Sequence, residues 1–212
     1  MENKAPLEIE RKWMVKGWPQ QDFPLCKEEY MEQGYVSVTP TVRIRMEEKK
    51  GGEGDNSCLS PTSVEAPNVS IRESGNSGIS PAGSAESAAP EIRYMLCFKS
   101  KGLMTRKEIE FPIAPQYYGQ LKDLIGLPLI PKTRRTYLLP DGAHLEVNQV
   151  DEGAPTAFWY AEVEFKDEAS AKAWDPASCG LADYLNDEVT GLPGQSMGAY
   201  WLQTRLAGNT QK

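Results

Sequence analysis

In seven segments of this chain, charged residues fall on one alternating parity while mostly apolar residues fall on the other. Successive side chains of a strand point to opposite faces. In Leu7-Glu8-Ile9-Glu10-Arg11-Lys12-Trp13 one face therefore carries Glu8, Glu10 and Lys12, and the other Leu7, Ile9 and Trp13. The same arithmetic sets Arg43 and Arg45 against Val42, Ile44 and Met46, and leaves Lys99 at the end of Tyr94–Lys99. It groups Arg106, Glu108 and Glu110 against Ile109 and Phe111, and pairs Lys132 with Arg134. Glu146 and Asn148 stand against Leu145 and Val147; Glu162 and Glu164 stand against Ala161, Val163 and Phe165. By the same parity Arg11 and Arg135 point the other way.

Taken singly, each segment reads as an antiparallel strand with one wet and one buried face. Taken together, the charged faces mix both signs at short spacing, and the opposite faces are apolar enough to need cover. Closing the sheet resolves both demands, with charge lining the lumen and helices packing outside. The expectation is an α+β fold dominated by a closed antiparallel eight-stranded β-barrel, whose interior has room for side chains and one small ligand.

Glu8-Ile9-Glu10-Arg11-Lys12 resembles the ExExK signature of the CYTH superfamily, the triphosphate tunnel metalloenzymes. Gln33-Gly34-Tyr35, Arg43-Ile44-Arg45, Lys99, Arg106-Lys107-Glu108-Ile109-Glu110, Lys132-Thr133-Arg134, Glu146-Val147-Asn148 and Glu162-Val163-Glu164 follow in an order similar to that family's. Glu188-Val189-Thr190-Gly191 resembles its turn before the last helix. The resemblance implies an enzyme of the bacterial type that hydrolyses inorganic tripolyphosphate. It implies Glu8, Glu10 and Glu164 as metal ligands, with Glu162, Glu108, Glu110 and Glu146 shaping a second metal site or orienting water. Glu8, Glu10, Lys12, Glu162 and Glu164 form the implied catalytic set. Lys12, Arg43, Arg45, Lys99, Arg106, Lys132 and Arg134 would hold the phosphate chain, although Lys12 also reads as a spacer between two glutamates. Two departures stand out: Asn148 replaces the family's usual aspartate, and Leu192–Met197 carries no charge where a basic or aromatic stretch is common.

The chemistry suits the residue types. Like charges in a narrow tunnel repel at about 4 kcal/mol per pair at 4 Å and an effective dielectric near 20, so ligands are expected to balance them. Polyphosphate oxygens suit guanidinium forks, and Mg²⁺ or Mn²⁺ suits the carboxylates. Phosphoryl transfer then needs positioning and charge stabilisation rather than a nucleophilic side chain. Two other readings stay open: an organic triphosphate enzyme (a nucleoside or thiamine triphosphatase, or a class IV adenylyl cyclase) and a non-catalytic polyphosphate-binding module. No base-binding cluster stands out in the sequence.

The 212 residues suit one domain, 1–212. Positions 51–90, rich in Gly, Ser, Pro, Ala and Glu, read as a flexible low-complexity insertion, with a rigid lid as the alternative. A net charge of −7 argues against nucleic acid and anionic membrane as partners. No apolar run reaches spanning length, and the expected location is cytoplasmic, as monomer or homodimer. Cys26, Cys58, Cys97 and Cys179 show no metal spacing and are expected as free thiols. His144 is expected to be structural or solvated. Helices are expected at Cys26–Glu32, Pro115–Ile125, Asp167–Trp174, Leu181–Val189 and Ser196–Leu206.

Overall fold

The structure, a computed structural model, describes residues 6–50, 91–102 and 104–207. Eight antiparallel strands close into a barrel: β1 (Leu7–Val15), β2 (Leu25–Val38), β3 (Thr41–Lys49), β4 (Ile92–Lys99), β5 (Thr105–Pro112), β6 (Ile130–Leu138), β7 (His144–Val150) and β8 (Phe158–Glu164). Their order is β5-β4-β3-β2-β6-β7-β8-β1, and β1 returns to β5 through the pairs Leu7–Lys107, Glu8–Arg106 and Ile9–Thr105. Farther along, the same edge of β1 takes a two-residue strand, β9 (Asp187–Glu188), at Trp13 and Met14. Beyond it the Val189 amide donates to the Lys12 carbonyl at 2.9 Å, and the Lys12 amide donates to Thr190 Oγ1 at 2.9 Å. The Glu188–Gly191 turn therefore completes the barrel wall where the β1–β5 ladder stops.

The outward rows are the apolar ones. Trp13, Leu145, Val147, Ala161 and Val163 form one core outside β1, β7 and β8, covered by Cys179, Leu181 and Leu185. A second core gathers Ile44, Tyr118, Leu129 and Trp201 where α1 (Pro115–Ile125) and α3 (Met197–Trp201) lie over the barrel. Gly34 makes that approach feasible: a Cβ there would stand 2.4 Å from Leu129 Cδ2 and 3.3 Å from Ile125 Cδ1. Proline at its start and left-handed Gly126 at its end bound α1. Asp167 caps α2 (Glu168–Ala173) by accepting from the Ser170 amide.

Three sequence expectations need correction. Cys26–Glu32 is not a helix but part of β2, which pairs with β3 on one edge and β6 on the other. Charge on both faces, with Glu28 and Glu32 outside and Lys27 and Glu29 inside, hides its alternation. Leu181–Val189 is turns followed by β9; Arg11 holds Glu188 through two bonds of 2.9 and 2.6 Å, which keeps this segment extended. Cys26 is disulfide-bonded, whereas Cys97 and Cys179 are free thiols. The helices at Pro115–Ile125 and after Asp167 are present, and the last one continues from α3 into a π-helical turn, Leu202–Leu206. Positions 51–90 lie outside the described residues. No described helix is long and apolar enough to cross a membrane.

Candidate active site

All the charged residues that periodicity assigned to the lumen line one cavity of about 1480 Å³. Arg11 and Arg135 lie outside, Arg11 between Trp13 and Trp174, and Arg135 on Glu28 and Trp18. The strand order divides the lining. The contiguous strands β7, β8, β1 and β5 carry Glu146, Glu162, Glu164, Glu8, Glu10, Glu108 and Glu110; β4, β3, β2 and β6 carry Lys99, Arg43, Arg45, Lys132 and Arg134. Lys12 and Arg106 are the two bases set into the acidic half.

The halves are cross-linked by ion pairs. Lys99 Nζ lies 2.7 Å from Glu8 and 3.2 Å from Glu108, and Arg106 lies 3.1 Å from Glu8 and also contacts Glu10. Arg43 and Arg45 each reach Glu110 at 3.1 Å, and Arg45 reaches Glu47 at 2.6 Å. Arg134 holds Glu146 at 2.8 Å and donates from Nε to Asn148 Oδ1 at 3.1 Å. Lys12 lies 3.3 Å from Glu162 and contacts neither Glu8 nor Glu10, so it is not a spacer between those two. The expectation that only ligands balance the lining is thus corrected: most lumen charges already have a protein partner.

What stays unbalanced is specific. Among the described residues Glu164 makes no ion pair; burial and the nearby Glu146, Glu8 and Glu108 carboxylates push its carboxyl up. Burial, with Glu162 and Glu8, pushes Glu10 up to about 8 even with Arg106 against it. Glu10 and Glu164 are direct partners across the β1–β8 ladder, with Glu8 two residues along. Glu10 is half-buried and Glu164 exposed, and neighbouring carboxylates of this kind are the oxygen donors that a hard divalent ion takes. On the other half, Arg43 Nε and Arg45 Nε are buried without an acceptor, as is Arg106 Nε within the acidic half. Burial and the Arg134, Arg45 and Arg43 charges lower the affinity of Lys132 for its proton.

Cys97, Glu108 and Glu110 each place one ligand atom within 4.8 Å of the others. The Cys97 thiol donates to Glu108 at 2.9 Å, and burial pushes it up to about 12. Among the described residues this trio is the group whose three ligand atoms come that close; it offers two oxygens and a protonated sulfur, and Arg43 and Lys99 already face Glu108.

Several residues went unassigned in the sequence: Gln33, Tyr35 and Tyr160 on the cavity wall, and beside them Cys97, Glu29 and Glu47. Tyr160 is fully buried, with Lys12 Nζ 3.7 Å above its ring centroid and Lys132 Nζ donating to its hydroxyl at 3.1 Å. For three of them the signal was present. Tyr160 is two positions before Glu162, Cys97 two before Lys99, and Glu47 two after Arg45, so continuing each charged row by one step reaches them.

The cavity's ends differ. Where β8 stops and β7 begins, its wall includes Ala143, His144, Phe165 and Trp174, with the two rings 5.7 Å apart and the indole N–H donating to Asp141 at 2.6 Å. At the other end the uncharged Leu192–Met197 stretch lines it together with Val38 and Pro40.

No protein-family model matches this chain, and no curated protein matches it. Solved structures do. The inorganic triphosphatase NE1496 shares 20% identity at a TM-score of 0.49, covering 93% of this chain and 96% of that one. PH1819 from Pyrococcus horikoshii OT3 shares 18% at 0.47, covering 84% and 88%. The putative adenylyl cyclase HpAC1 from Hippeastrum, described as having a dominant triphosphatase activity, shares 14% at 0.44, covering 84% and 87%. At such identities the likeness is one of fold alone.

Proposed function

We propose that this chain is a divalent-metal-dependent triphosphatase that cleaves inorganic tripolyphosphate to pyrophosphate and phosphate inside the barrel. The observation that carries it is the pair of complementary deficits in one lumen: buried guanidinium Nε–H groups without acceptors, and crowded carboxylates pushed up by burial and by one another. An unsatisfied buried donor costs about 1–3 kcal/mol, more when charged. An anion with several oxygens relieves the first deficit, and a hard divalent cation relieves the second.

In this reading Arg43, Arg45 and Arg106 turn their free Nε–H groups to non-bridging oxygens, with Lys99, Lys132 and Arg134 along the chain of phosphates. Glu8, Glu10 and Glu164 would hold Mg²⁺ or Mn²⁺, which when bound supplies charge neutralisation at the phosphoryl oxygens and a more acidic water. Glu162, held below the usual carboxylate range by Lys12, Lys132 and Arg134 despite burial, stays ionised and accepts a hydrogen bond from the attacking water. Water attacks the terminal phosphorus in line with the bridging oxygen. That P–O bond breaks, and pyrophosphate leaves with the bonding pair.

A second reading is favoured by one observation. Phe165, Trp174 and Ala143 give one end of the cavity an apolar, aromatic wall that inorganic tripolyphosphate does not need. An organic triphosphate would rest its organic group there. A phosphate-release panel of tripolyphosphate, ATP, thiamine triphosphate and pyrophosphate, each with Mg²⁺, Mn²⁺ or EDTA and with cyclic AMP followed in the ATP wells, separates these readings. Tripolyphosphate turned over fastest, and only with metal, is the expected result. Equal or faster turnover of an organic triphosphate moves the assignment to that substrate, and tight binding without turnover in any well makes the chain a binding module.

A further inference from the structure

The barrel's exterior is not covered evenly. On β4 and the second half of β5 the outward residues Phe98, Ile109 and Phe111 are apolar and yet exposed. Phe98 and Ile109 are direct partners across the β4–β5 ladder, Phe98 stacks on Phe111 with centroids 6.2 Å apart, and Leu7 lies one strand over, opposite Lys107. The patch continues past Phe111 into a groove of about 710 Å³ between the β4–β5 surface and α1, lined by Leu96, Tyr117, Leu121 and Leu124. Leu7, Phe98, Ile109, Phe111, Tyr117 and Leu124 are each 39–73% exposed.

We propose that this face is the contact between two copies of the chain, related by a two-fold axis. Area supports this occupant. With large apolar side chains of roughly 150–250 Å² each, the six residues present on the order of 500–600 Å², at the upper end of the largest patch a typical monomer shows. A standard interface buries about 800 Å² per partner, and in homodimers about 65% of the area is apolar. The patch is thus about the size of the apolar part of one such interface, and the polar residues around it supply the rim. Its chemistry supports a copy of itself. A two-fold contact sets the patch against the same patch, which is favourable here because no charge lies within it and its edges carry both signs, Lys107 and Asp123, both exposed. The ridge of α1 lies directly beside the groove, so two copies can each seat a ridge in the other's groove.

Sedimentation velocity on the full chain between about 1 and 100 μM tests this. A species of twice the protomer mass is expected, its share rising with concentration. Leu124→Asp should weaken association at least tenfold, with circular dichroism and thermal midpoint close to wild type because Leu124 is solvent-facing in the single chain. Ile109→Lys, on the opposite side of the groove, should do the same. A monomer throughout the concentration range would overturn the proposal and leave the face to another kind of partner. A dimer unaffected by both variants would overturn it by placing the contact elsewhere. Tripolyphosphate hydrolysis need not be measured, so this result is independent of the proposed reaction.

Discussion

On the basic half of the lumen, Arg43 and Arg45 are ion-paired through Nη2 yet each keeps a buried Nε–H with nothing to donate to. The acidic half fails differently: Glu10 and Glu164 face each other across a ladder, and their carboxyls rise because burial and like charges disfavour ionisation. Donors without acceptors call for an anion, and acids driven toward their protonated form call for a cation. One ligand cannot relieve both. The comparison teaches that the lining is nearly neutral in its ion pairs and still incomplete, which is the state of a site that binds a charged substrate together with a counter-ion.

Breaking the acidic half should cost most. Glu10→Gln and Glu164→Gln each delete a proposed metal ligand, and each should lower kcat at fixed Mg²⁺ by on the order of 10²–10³-fold, as lost electrostatic stabilisation does, with the barrel still folded. A near-normal rate for Glu164→Gln at low metal would remove it from the ligand set. The metal-free protein offers a second readout. A carboxyl whose folded value lies near 8, against 4.5 unfolded, stabilises the fold below pH 4.5 and loses that contribution as pH rises through 8. The melting temperature of Glu10→Gln in EDTA should therefore exceed wild type at pH 8.5, and the difference should vanish near pH 4.5.

Breaking the basic half should cost somewhat less, because its groups share the substrate's charge. Arg43→Ala or Arg45→Ala should lower kcat/KM by on the order of 10²-fold. Arg45→Lys should recover little of it, since an ammonium cannot reproduce a guanidinium fork. A full rescue by lysine would show that only charge, not the uncommitted Nε–H, matters there.

How far the sequence foretold these halves depends on how long each charged row is. Glu8, Glu10 and Lys12 alternate with Ile9 and Trp13 without interruption, and both the β1 strand and its inward row were legible. β2 was not, because Glu28 and Glu32 charge its outer face, and irregularities at Leu25/Lys27 and Tyr35/Ser37 shift its register. With β2 went the roles of Glu29, Gln33 and Tyr35. Ion pairing across the lumen was invisible for a different reason: which Arg meets which Glu depends on ladder registers between strands far apart in the chain, as with Arg43 and Glu110, 67 residues apart. The outward apolar residues Ile109 and Phe111 were legible as such, but that they stay exposed was not.

Tyr160 joins the two halves, and a smaller effect is expected from it. Its ring lies under Lys12 of the acidic half, and its hydroxyl takes a hydrogen bond from Lys132 of the basic half. Tyr160→Phe keeps the ring and should raise KM less than about threefold, whereas Tyr160→Leu also removes a buried cation–π contact worth about 2 kcal/mol and should raise KM roughly tenfold with kcat changed less. If both variants behaved alike, the ring contact to Lys12 would carry no weight.

The smallest effect is expected from the segment that belongs to neither half. Positions 51–90 contain none of the recurring charged rows, and the strands they connect are already joined, since Glu48 pairs with Ile92 and the Lys49 amide donates to the Glu91 carbonyl at 3.1 Å. A short Gly/Ser turn between β3 and β4 should close the same ladder, and closure entropy favours the shorter loop by about 0.6 kcal/mol per halving of its length. Cys26, which is disulfide-bonded, should be changed to Ser in the same variant so that no unpaired thiol is left. Under these conditions kcat, KM and metal dependence should stay within about twofold of wild type. A lid over the tunnel predicts the opposite, because closure excludes water and commits the substrate. A loss of kcat/KM greater than tenfold in this variant, with Cys26→Ser alone near wild type and the barrel intact by circular dichroism, would make the segment a third part of the active site beside the acidic and basic halves.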